Sequence, residues 1–341
     1  MKALSFALVT VFLLTDVSSA SAQWTRVDEV PTTNIYTVSA NADTIVAGAD
    51  SLVYTSTNGG VTWKGSATVA AGVTSVQAVV LHNGRLYAGT FGQGVFVSDD
   101  LGDTWLGFNQ GLVGGIFNTQ LFIVGFAVHD DKLYAATSGA GAWARNISVA
   151  GSWSHFGNAF EPNAASNMND IAVGGTRLLA CAGFNGMVFF RDPSDSDWTV
   201  SWLNNVGLAP GLAALTAIWT GSRWLVGANT GVFHSPQGQS PWTFSDVGLG
   251  TLFNVAFALR SPRVFASFGT SAGSTIEFSI DGASWQVLEF LPFTFVFELA
   301  THDDTLYAAR ADGLWRRSIA TVATKAATLG GVKALYRTPR K

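Results

Sequence analysis

The chain repeats one hydrophobic pattern seven times: an apolar stretch that ends in small residues, a turn, and a second apolar stretch that usually starts with glycine. Most copies follow a further apolar stretch, as at residues 76–81, 122–128 and 293–299. Short strands at even spacing within repeats of this length predict a β-propeller rather than a β-sandwich. The seven copies begin at Thr44, Arg85, Lys132, Arg177, Trp224, Val264 and Leu306.

A polar motif lies between the repeats and is most complete at residues 98–105, which read S-x-D-x-G-x-T-W. Residues 56–63 carry Asn58 in place of the aspartate, and residues 279–285 are one residue shorter. We expect a hairpin turn in which the Asp or Asn side chain accepts backbone N–H groups and glycine takes a positive φ. The tryptophan then packs in the core. The motif residues are Ser56, Asn58, Gly60, Trp63, Ser98, Asp100, Gly102, Trp105, Ser279, Asp281 and Trp285.

The tryptophans at the motif position set the repeat length and the number of blades. They are Trp63, Trp105, Trp153, Trp198, Trp242 and Trp285, separated by 42, 48, 45, 44 and 43 residues. The copies that end at Trp153, Trp198 and Trp242 lack the acid. No motif follows the seventh repeat, and a lone strand around Trp24 precedes the first. The chain is therefore predicted to form seven four-stranded blades, with the N-terminal strand closing the ring and removing an open sheet edge.

The polar motif resembles the Asp-box, or BNR, repeat of sialidase-like β-propellers. The resemblance covers the repeat architecture from residue 24 to residue 317 and implies an all-β, seven-bladed propeller. Such a motif holds a hairpin together and performs no chemistry. By analogy with non-catalytic Asp-box propellers, which include photosystem assembly factors and sorting-receptor domains, we interpret the chain as a scaffold that binds a protein or glycan partner on its loop face.

The two ends of the chain differ from the repeats. Met1 and Lys2 precede an apolar run at residues 3–14, and small residues follow up to Ala22. This pattern predicts a cleaved signal peptide at residues 1–22 and a secreted or periplasmic bacterial protein, because the run is too short to span a membrane. Seven basic residues and no acidic one lie after residue 315. We predict a propeller at residues 23–317 and a flexible basic tail at residues 318–341.

The composition excludes several kinds of function. Residues 23–315 contain 11 Lys or Arg against 22 Asp or Glu, and such an acidic body argues against nucleic acid as a partner. Cys181 is the single cysteine and lies in an apolar run, so we expect a buried core residue. The five histidines are scattered, and we predict no metal site and no cofactor. We expect a monomer without a membrane span.

A glycoside hydrolase, sialidase-like or glucanase-like, is the alternative function. A sialidase needs an arginine cluster, a tyrosine nucleophile with a glutamate partner, and an aspartic acid. The [FY]-R-I-P phrase that usually carries the first arginine is absent. Tyr87, Tyr134 and Tyr307 share one position in the repeat, so we interpret them as packing residues. No catalytic residue is therefore predicted.

The residues that line the central channel would distinguish the two hypotheses. Asp170 begins an innermost strand, and we interpret it first as a solvated or turn-capping acid; a side chain that points into the channel is the alternative. No second acid lies at the equivalent point of another blade. A convergent carboxylate pair there would favour the hydrolase, whereas an apolar or amide-lined channel would favour the binding scaffold. The residues that we predict for binding are Phe91, Gln93, Glu161, Asn169, Asp170, Phe184 and Asn185.

Overall fold

A computed structural model of the chain describes residues 23–113, 116–156, 167–207 and 209–320. These residues form seven four-stranded antiparallel sheets, which confirms the predicted seven-bladed propeller. The predicted signal peptide lies outside the described residues, as does residue 321 onward of the predicted tail. The last strand ends at Ser318.

Each blade has the same order of strands from the channel to the rim. The innermost strands are β2 (Thr37–Asn41), β6 (Val76–His82), β10 (Ile123–His129), β14 (Met168–Gly174), β18 (Ala214–Trp219), β22 (Asn254–Arg260) and β26 (Val296–His302). The second strands are β3 (Thr44–Gly48), β7 (Arg85–Thr90), β11 (Lys132–Thr137), β15 (Arg177–Ala182), β19 (Trp224–Ala228), β23 (Arg263–Thr270) and β27 (Thr305–Arg310).

The outer half of each blade is built from shorter strands, and a 3₁₀ helix (Ile116–Leu121) precedes β10. The third strands are β4 (Val53–Ser56), β8 (Gly94–Ser98), β12 (Gly141–Asn146), β16 (Met187–Arg191), β20 (Gly231–Ser235), β24 (Gly273–Ser279) and β28 (Gly313–Ser318). The outer strands are β5 (Lys64–Gly65), β9 (Leu106–Gly107), β13 (Ser154–His155), β17 (Thr199–Trp202), β21 (Thr243–Ser245), β25 (Gln286–Pro292) and, in the seventh blade, β1 (Thr25–Arg26).

The ring closes in the seventh blade, where the first strand of the chain pairs with the last. Thr25 lies opposite Arg316, and the Val27 N–H donates to Leu314 O at 2.9 Å. Blades seven and one also share a core, because Tyr307 is buried against Ile45 and its hydroxyl donates to Gly59 O at 3.3 Å. Because the ring is closed, every blade has a neighbouring blade on both sides.

The core lies mainly between neighbouring blades. Each cluster of buried side chains joins two adjacent sheets, as in the group that packs Val46 of β3 against Leu86 of β7. Burying one such side chain contributes about 1.5–3 kcal/mol. Tyr87, Tyr134 and Tyr307 are buried in these clusters, which confirms their packing role. Cys181 is buried on β15, as expected.

Two faces follow from this strand order. We call loop face the side where the innermost strands begin, which also carries the turns between second and third strands. We call turn face the opposite side, which carries the turns from innermost to second strands and the S-x-D-x-G motif. Backbone hydrogen bonds tie each set together, as from Gly59 N to Asp43 O on the turn face and from Val76 N to Ala49 O on the loop face.

Side-chain hydrogen bonds order the motif turns. The Ser98 hydroxyl donates to Asp100 Oδ1 at 2.7 Å, and that oxygen accepts the Thr104 N–H at 2.8 Å. The hydrogen bonds from Thr104 and Ser98 lower the pKa of Asp100 to about 2. Gly102, with φ of 99°, donates its N–H to the serine hydroxyl oxygen at 2.7 Å. The positive φ explains the glycine at this point.

The three copies that lack the acid hold their tryptophans differently. Trp153, Trp198 and Trp242 are buried, and each indole N–H donates to the preceding blade: to Phe108 O at 2.6 Å, Phe156 O at 2.5 Å and Ser201 Oγ at 2.9 Å. Trp63, Trp105 and Trp285 are partly exposed, and no described residue accepts a hydrogen bond from their indoles. Contact with the neighbouring blade therefore takes over part of the role of the missing aspartate.

Candidate functional site

A cavity of about 430 Å³ lies in the channel and is lined by residues of all seven blades. Most of its lining comes from the first half of the innermost strands, so it occupies the loop-face half of the channel. Its polar lining residues are Thr37, Ser39, Gln77, Ser138, Asn169, Asp170, Thr216, Asn254 and Glu298. Its aromatic lining residues are Tyr36, Phe126, Phe253, Phe257 and Phe297. A cavity of this size and mixed lining is typical of a ligand site.

Asp170 lines this cavity, so the channel-facing alternative holds and the preferred interpretation of a solvated or turn-capping acid was wrong. Its Oδ2 accepts the Thr216 hydroxyl at 2.9 Å and the Ala217 N–H at 3.0 Å, both from the next innermost strand, β18. Oδ1 accepts the N–H of Ile171 at 2.8 Å. Burial raises the pKa of Asp170, and these hydrogen bonds oppose the rise. The carboxylate thus connects the fourth blade to the fifth.

Glu298 is a second acid of the cavity, and the sequence-based expectation that no such acid exists was wrong. Glu298 pairs with Ala309 as Asp170 pairs with Cys181, in both cases directly after a β-bulge. Its Oε2 accepts the Val38 N–H from β2 at 3.1 Å. Burial raises the pKa of Glu298 to about 7; the Asp170 charge adds to the rise, and hydrogen bonds from Thr37 and Val38 oppose it.

The two acids make the same contact in different blades. Each accepts hydrogen bonds from a threonine hydroxyl and the following N–H of the next innermost strand, Thr216–Ala217 for Asp170 and Thr37–Val38 for Glu298. The sequence did contain a signal for this equivalence. Each acid lies seven residues before the first residue of its second strand, Arg177 or Thr305. The aromatic neighbours Phe295 and Phe297 obscured the match.

Aromatic side chains cluster on the loop face of the first, sixth and seventh blades, and three of them, Tyr36, Phe253 and Phe297, line the cavity. We call aromatic rim the five residues Tyr36, Phe253, Phe293, Phe295 and Phe297, which lie at or just before the starts of β2, β22 and β26. Phe253 is 62% exposed and Phe293 is 91% exposed. The ring centroids of Tyr36 and Phe297 are 5.8 Å apart. The sequence-based site did not include these residues, although three of the phenylalanines lie within residues 293–297.

The backbone of Phe293 is unusual for so large a residue. Its φ is 52°, in the left-handed region, and its N–H donates to Ala272 O at 2.9 Å. A bulky side chain in this region costs about 1–2 kcal/mol. The connection between the sixth and seventh blades therefore holds an exposed aromatic ring at an energetic cost.

The predicted binding residues outside the cavity lie on the loop face. Phe91 is 47% exposed and packs edge-on against Phe122, with ring centroids 4.6 Å apart. The Gln93 amide donates to Ala71 O at 3.1 Å. Phe184 is 50% exposed, and Asn185 beside it has a φ of 62°. These four residues are in turns between second and third strands, and none lines the cavity.

Asn169 is the other predicted residue that reaches the cavity. Its amide donates to Ala214 O of β18 at 2.7 Å, so it also joins the fourth blade to the fifth. Asn254 makes a comparable contact, because its amide donates to Val296 O of β26 at 2.5 Å. Glu161 lies outside the described residues.

Metal-ligand clusters and membrane-spanning helices are both missing from the described part of the chain. Within residues 23–113, 116–156, 167–207 and 209–320, no group of three or more His, Cys, Asp or Glu side chains is placed to hold a metal ion. No helix in these ranges is long and apolar enough to cross a membrane. His82, His129 and His302 end innermost strands on the turn face, away from the cavity.

No protein-family model matches the sequence, and no curated protein matches it. Solved structures do match. YCF48 bound to D1 peptide is 14% identical, with 89% of this chain and 96% of that chain covered and a TM-score of 0.66. The extracellular domain of the putative one-component system BT4673 from B. thetaiotaomicron is 13% identical (87% and 38% covered, TM-score 0.62). PorZ, a surface component of the type-IX secretion system of Porphyromonas gingivalis, is 15% identical (87% and 38%, 0.57). These likenesses show the propeller fold.

Proposed function

We propose that the protein is an exported, non-catalytic propeller of the Asp-box type that binds a partner at the mouth of the axial cavity. The observation that carries this proposal is the aromatic rim, because the exposed Phe253 lines a cavity that also contains amides, and the exposed Phe293 lies in the connection that leads to the cavity-lining strand β26. Exposed aromatic groups around a concave polar site are typical of binding surfaces. The left-handed backbone of Phe293 supports the same assignment, since strain of this kind concentrates at functional sites.

A protein segment is the partner that the rim favours. Aromatic side chains that are exposed to solvent suit an extended peptide. One of the similar solved structures, YCF48, is bound to a D1 peptide. Export is supported by the sequence of residues 1–22 and by the extracellular assignment of BT4673. A glycan is the second partner class, because amides beside aromatic rings also suit sugars.

Selection of peptides on the immobilised full chain tests this function. The rim variant carries Phe253→Ser and Phe293→Asn, and the control variant carries Val61→Ser and Ile280→Ser, which change two turn-face residues that are each 69% exposed. We expect selected peptides to bind the rim variant at least about tenfold more weakly, as loss of two anchoring aromatics implies. The control variant should bind as the unchanged protein does. Equal binding to the rim variant, or an absence of binding to peptide and glycan libraries alike, would contradict the proposal.

A glycoside hydrolase is the second candidate function, and the Asp170–Glu298 pair is the observation that favours it. A carboxyl with a pKa of about 7 can serve as a general acid near neutral pH. The hydrogen bonds that both acids accept from neighbouring blades explain their position without a catalytic role. A panel of fluorogenic glycosides decides between the two. Turnover that disappears in Glu298→Gln would support the hydrolase and refute the scaffold.

A further inference from the structure

The axial cavity is unusual in the sign of its charges. Its described lining contains the carboxylates Asp170 and Glu298 and no lysine, arginine or histidine. The two acids belong to the fourth and seventh blades, which are three positions apart in a ring of seven and so lie on nearly opposite sides of the channel. The Asp170 charge raises the pKa of Glu298, so the two groups interact across the cavity. A positive charge between them would relieve this repulsion.

The loop face around the cavity has the same sign. The described residues of the turns and connections on this face, taken from the strand bounds, include no lysine, arginine or histidine. Their described acids are Asp28, Glu29, Asp50, Asp246 and Asp312. Three basic residues directly flank these turns in the chain. Arg310 ends β27 and pairs with Asp312 at 2.7 Å, and His155 ends β13. Arg26 ends β1, lies 3.9 Å from Asp28 and donates to Pro31 O and Thr32 O. The face therefore attracts cations at long range and offers them little competition.

The two carboxylates are already oriented for such a ligand. Three hydrogen bonds, from Thr216, Ala217 and Ile171, fix Asp170, and two, from Thr37 and Val38, fix Glu298. A carboxylate has about four lone-pair positions, so these contacts leave acceptor capacity on both groups. Positioning by the neighbouring blade lowers the entropy lost when a ligand binds.

The aromatic lining adds a second attraction for a cation. Tyr36 and Phe297 line the cavity beside Glu298, and their ring centroids are 5.8 Å apart. Phe126 and Phe257 line the cavity from other blades. Aromatic faces attract ammonium and guanidinium groups by about 0.5–2 kcal/mol each, most strongly where water is excluded. Amide oxygens of Gln77, Asn169 and Asn254 are further acceptors in the lining.

We propose that the axial cavity binds the cationic end of an arginine or lysine side chain of the partner, between Asp170 and Glu298, while the aromatic rim holds the residues on either side. This proposal rests on the proposed function, since it names the chemistry of the partner at the same site. The cavity measures about 430 Å³ and lies between the innermost strands of seven blades, so it admits a side chain rather than a folded surface. The rim supplies the apolar contact for flanking residues.

Two capped tripeptides test this assignment on the full chain: Phe-Arg-Phe, and Phe-citrulline-Phe, in which the guanidinium is replaced by a neutral group of the same shape. Affinities are measured by titration calorimetry or ligand-observed NMR. We expect the arginine peptide to bind at least about tenfold more tightly, the difference that one charge-assisted hydrogen bond provides. Glu298→Gln and Asp170→Asn should each reduce this preference below about threefold. Asp246→Asn, which removes an exposed loop-face acid outside the lining, should leave it unchanged.

The outcomes separate this inference from the proposed function. Equal affinity for the two peptides would overturn the cation site and leave the aromatic rim as a binding surface. Binding of neither peptide would overturn the cation site, and the peptide selection described above then decides the scaffold function on its own. An arginine preference that persists in both Glu298→Gln and Asp170→Asn would overturn the assignment to this cavity. Thermal unfolding of each variant at the pH of the titration checks that the compared proteins are folded.

Discussion

Glu298→Gln is expected to make the protein's stability less dependent on pH. A carboxyl whose pKa is higher in the folded chain than in the unfolded chain binds more protons when folded. Its contribution is fully present below the ordinary pKa, here 4.5, and is lost as the pH rises through the raised value of about 7. The unchanged protein should therefore lose free energy of unfolding between pH 5 and pH 8, and the glutamine variant should not lose this part.

The size of the effect follows from the difference between the two pKa values of Glu298. A rise from 4.5 to about 7 corresponds to about 3 kcal/mol at 1.36 kcal/mol per pKa unit. Glutamine is neutral at every pH and keeps an oxygen that can accept the Val38 N–H. We therefore expect the two proteins to differ by no more than about 1 kcal/mol at pH 5. From pH 5 to pH 8, the free energy of unfolding of the variant relative to that of the unchanged protein should rise by about 2–3 kcal/mol.

Urea unfolding followed by tryptophan fluorescence at pH 5 and pH 8 measures this shift. Asp281→Asn is a matched control, because hydrogen bonds from Ser284, Ala283 and Ser279 lower the pKa of Asp281 to about 2 and keep it ionised over this range. The difference between the control and the unchanged protein should be the same at both pH values. If the difference for Glu298→Gln is also constant to within about 0.5 kcal/mol, the account of an enclosed carboxyl in the channel is refuted.

Three further predictions concern the motif turns and the rim. Asp281→Ala should destabilise the fold by about 1–2 kcal/mol in chemical denaturation, because three hydrogen-bond donors lose their acceptor. At pH 7 the free energy of unfolding of Asp281→Asn should stay within about 0.5 kcal/mol of that of the unchanged protein, since all three bonds go to Oδ1. The unchanged protein should lose stability as the pH falls from about 4 towards 2, and the asparagine variant should not show this loss. Trp153→Phe should cost about 1 kcal/mol more than Trp105→Phe by the same assay, because only Trp153 donates to the preceding blade; equal costs would contradict the compensation between motif and neighbour. Phe293→Asn should leave the melting temperature unchanged or raise it while weakening peptide binding, because asparagine tolerates the left-handed backbone; a large fall in melting temperature would contradict the strain assigned to this residue.

The architecture could be predicted because the repeat carries it seven times. The Trp63 to Trp285 spacing and the lone Trp24 strand determine the number of blades and the closure of the ring. The decayed motifs ending at Trp153 and Trp198 did not mislead the prediction, since the apolar strands around them persist. The sequence could not show that these tryptophans bond to the preceding blade. Contacts between blades depend on positions about 45 residues apart that carry no shared motif.

The functional site was only partly predictable. Asn169 and Asp170 were found because polar residues stand out at the start of a buried strand. Glu298 was missed because aromatic residues surround it, and the strand was interpreted as an apolar core element. The exposure of Phe253 and Phe293 could not be predicted, because a phenylalanine next to a strand is buried in most proteins. Only the placement of the connections before β22 and β26 leaves these rings in solvent.

Hydrogen–deuterium exchange of the full chain, with and without a saturating selected peptide, tests the central claim most directly. It reports where bound peptide protects the backbone. We predict slower exchange at the connection between β25 and β26 and at the starts of β22 and β26, with the motif turns at residues 56–63 and 98–105 unchanged. Protection confined to those turn-face motifs, with none around Phe253 and Phe297, would contradict binding at the mouth of the axial cavity.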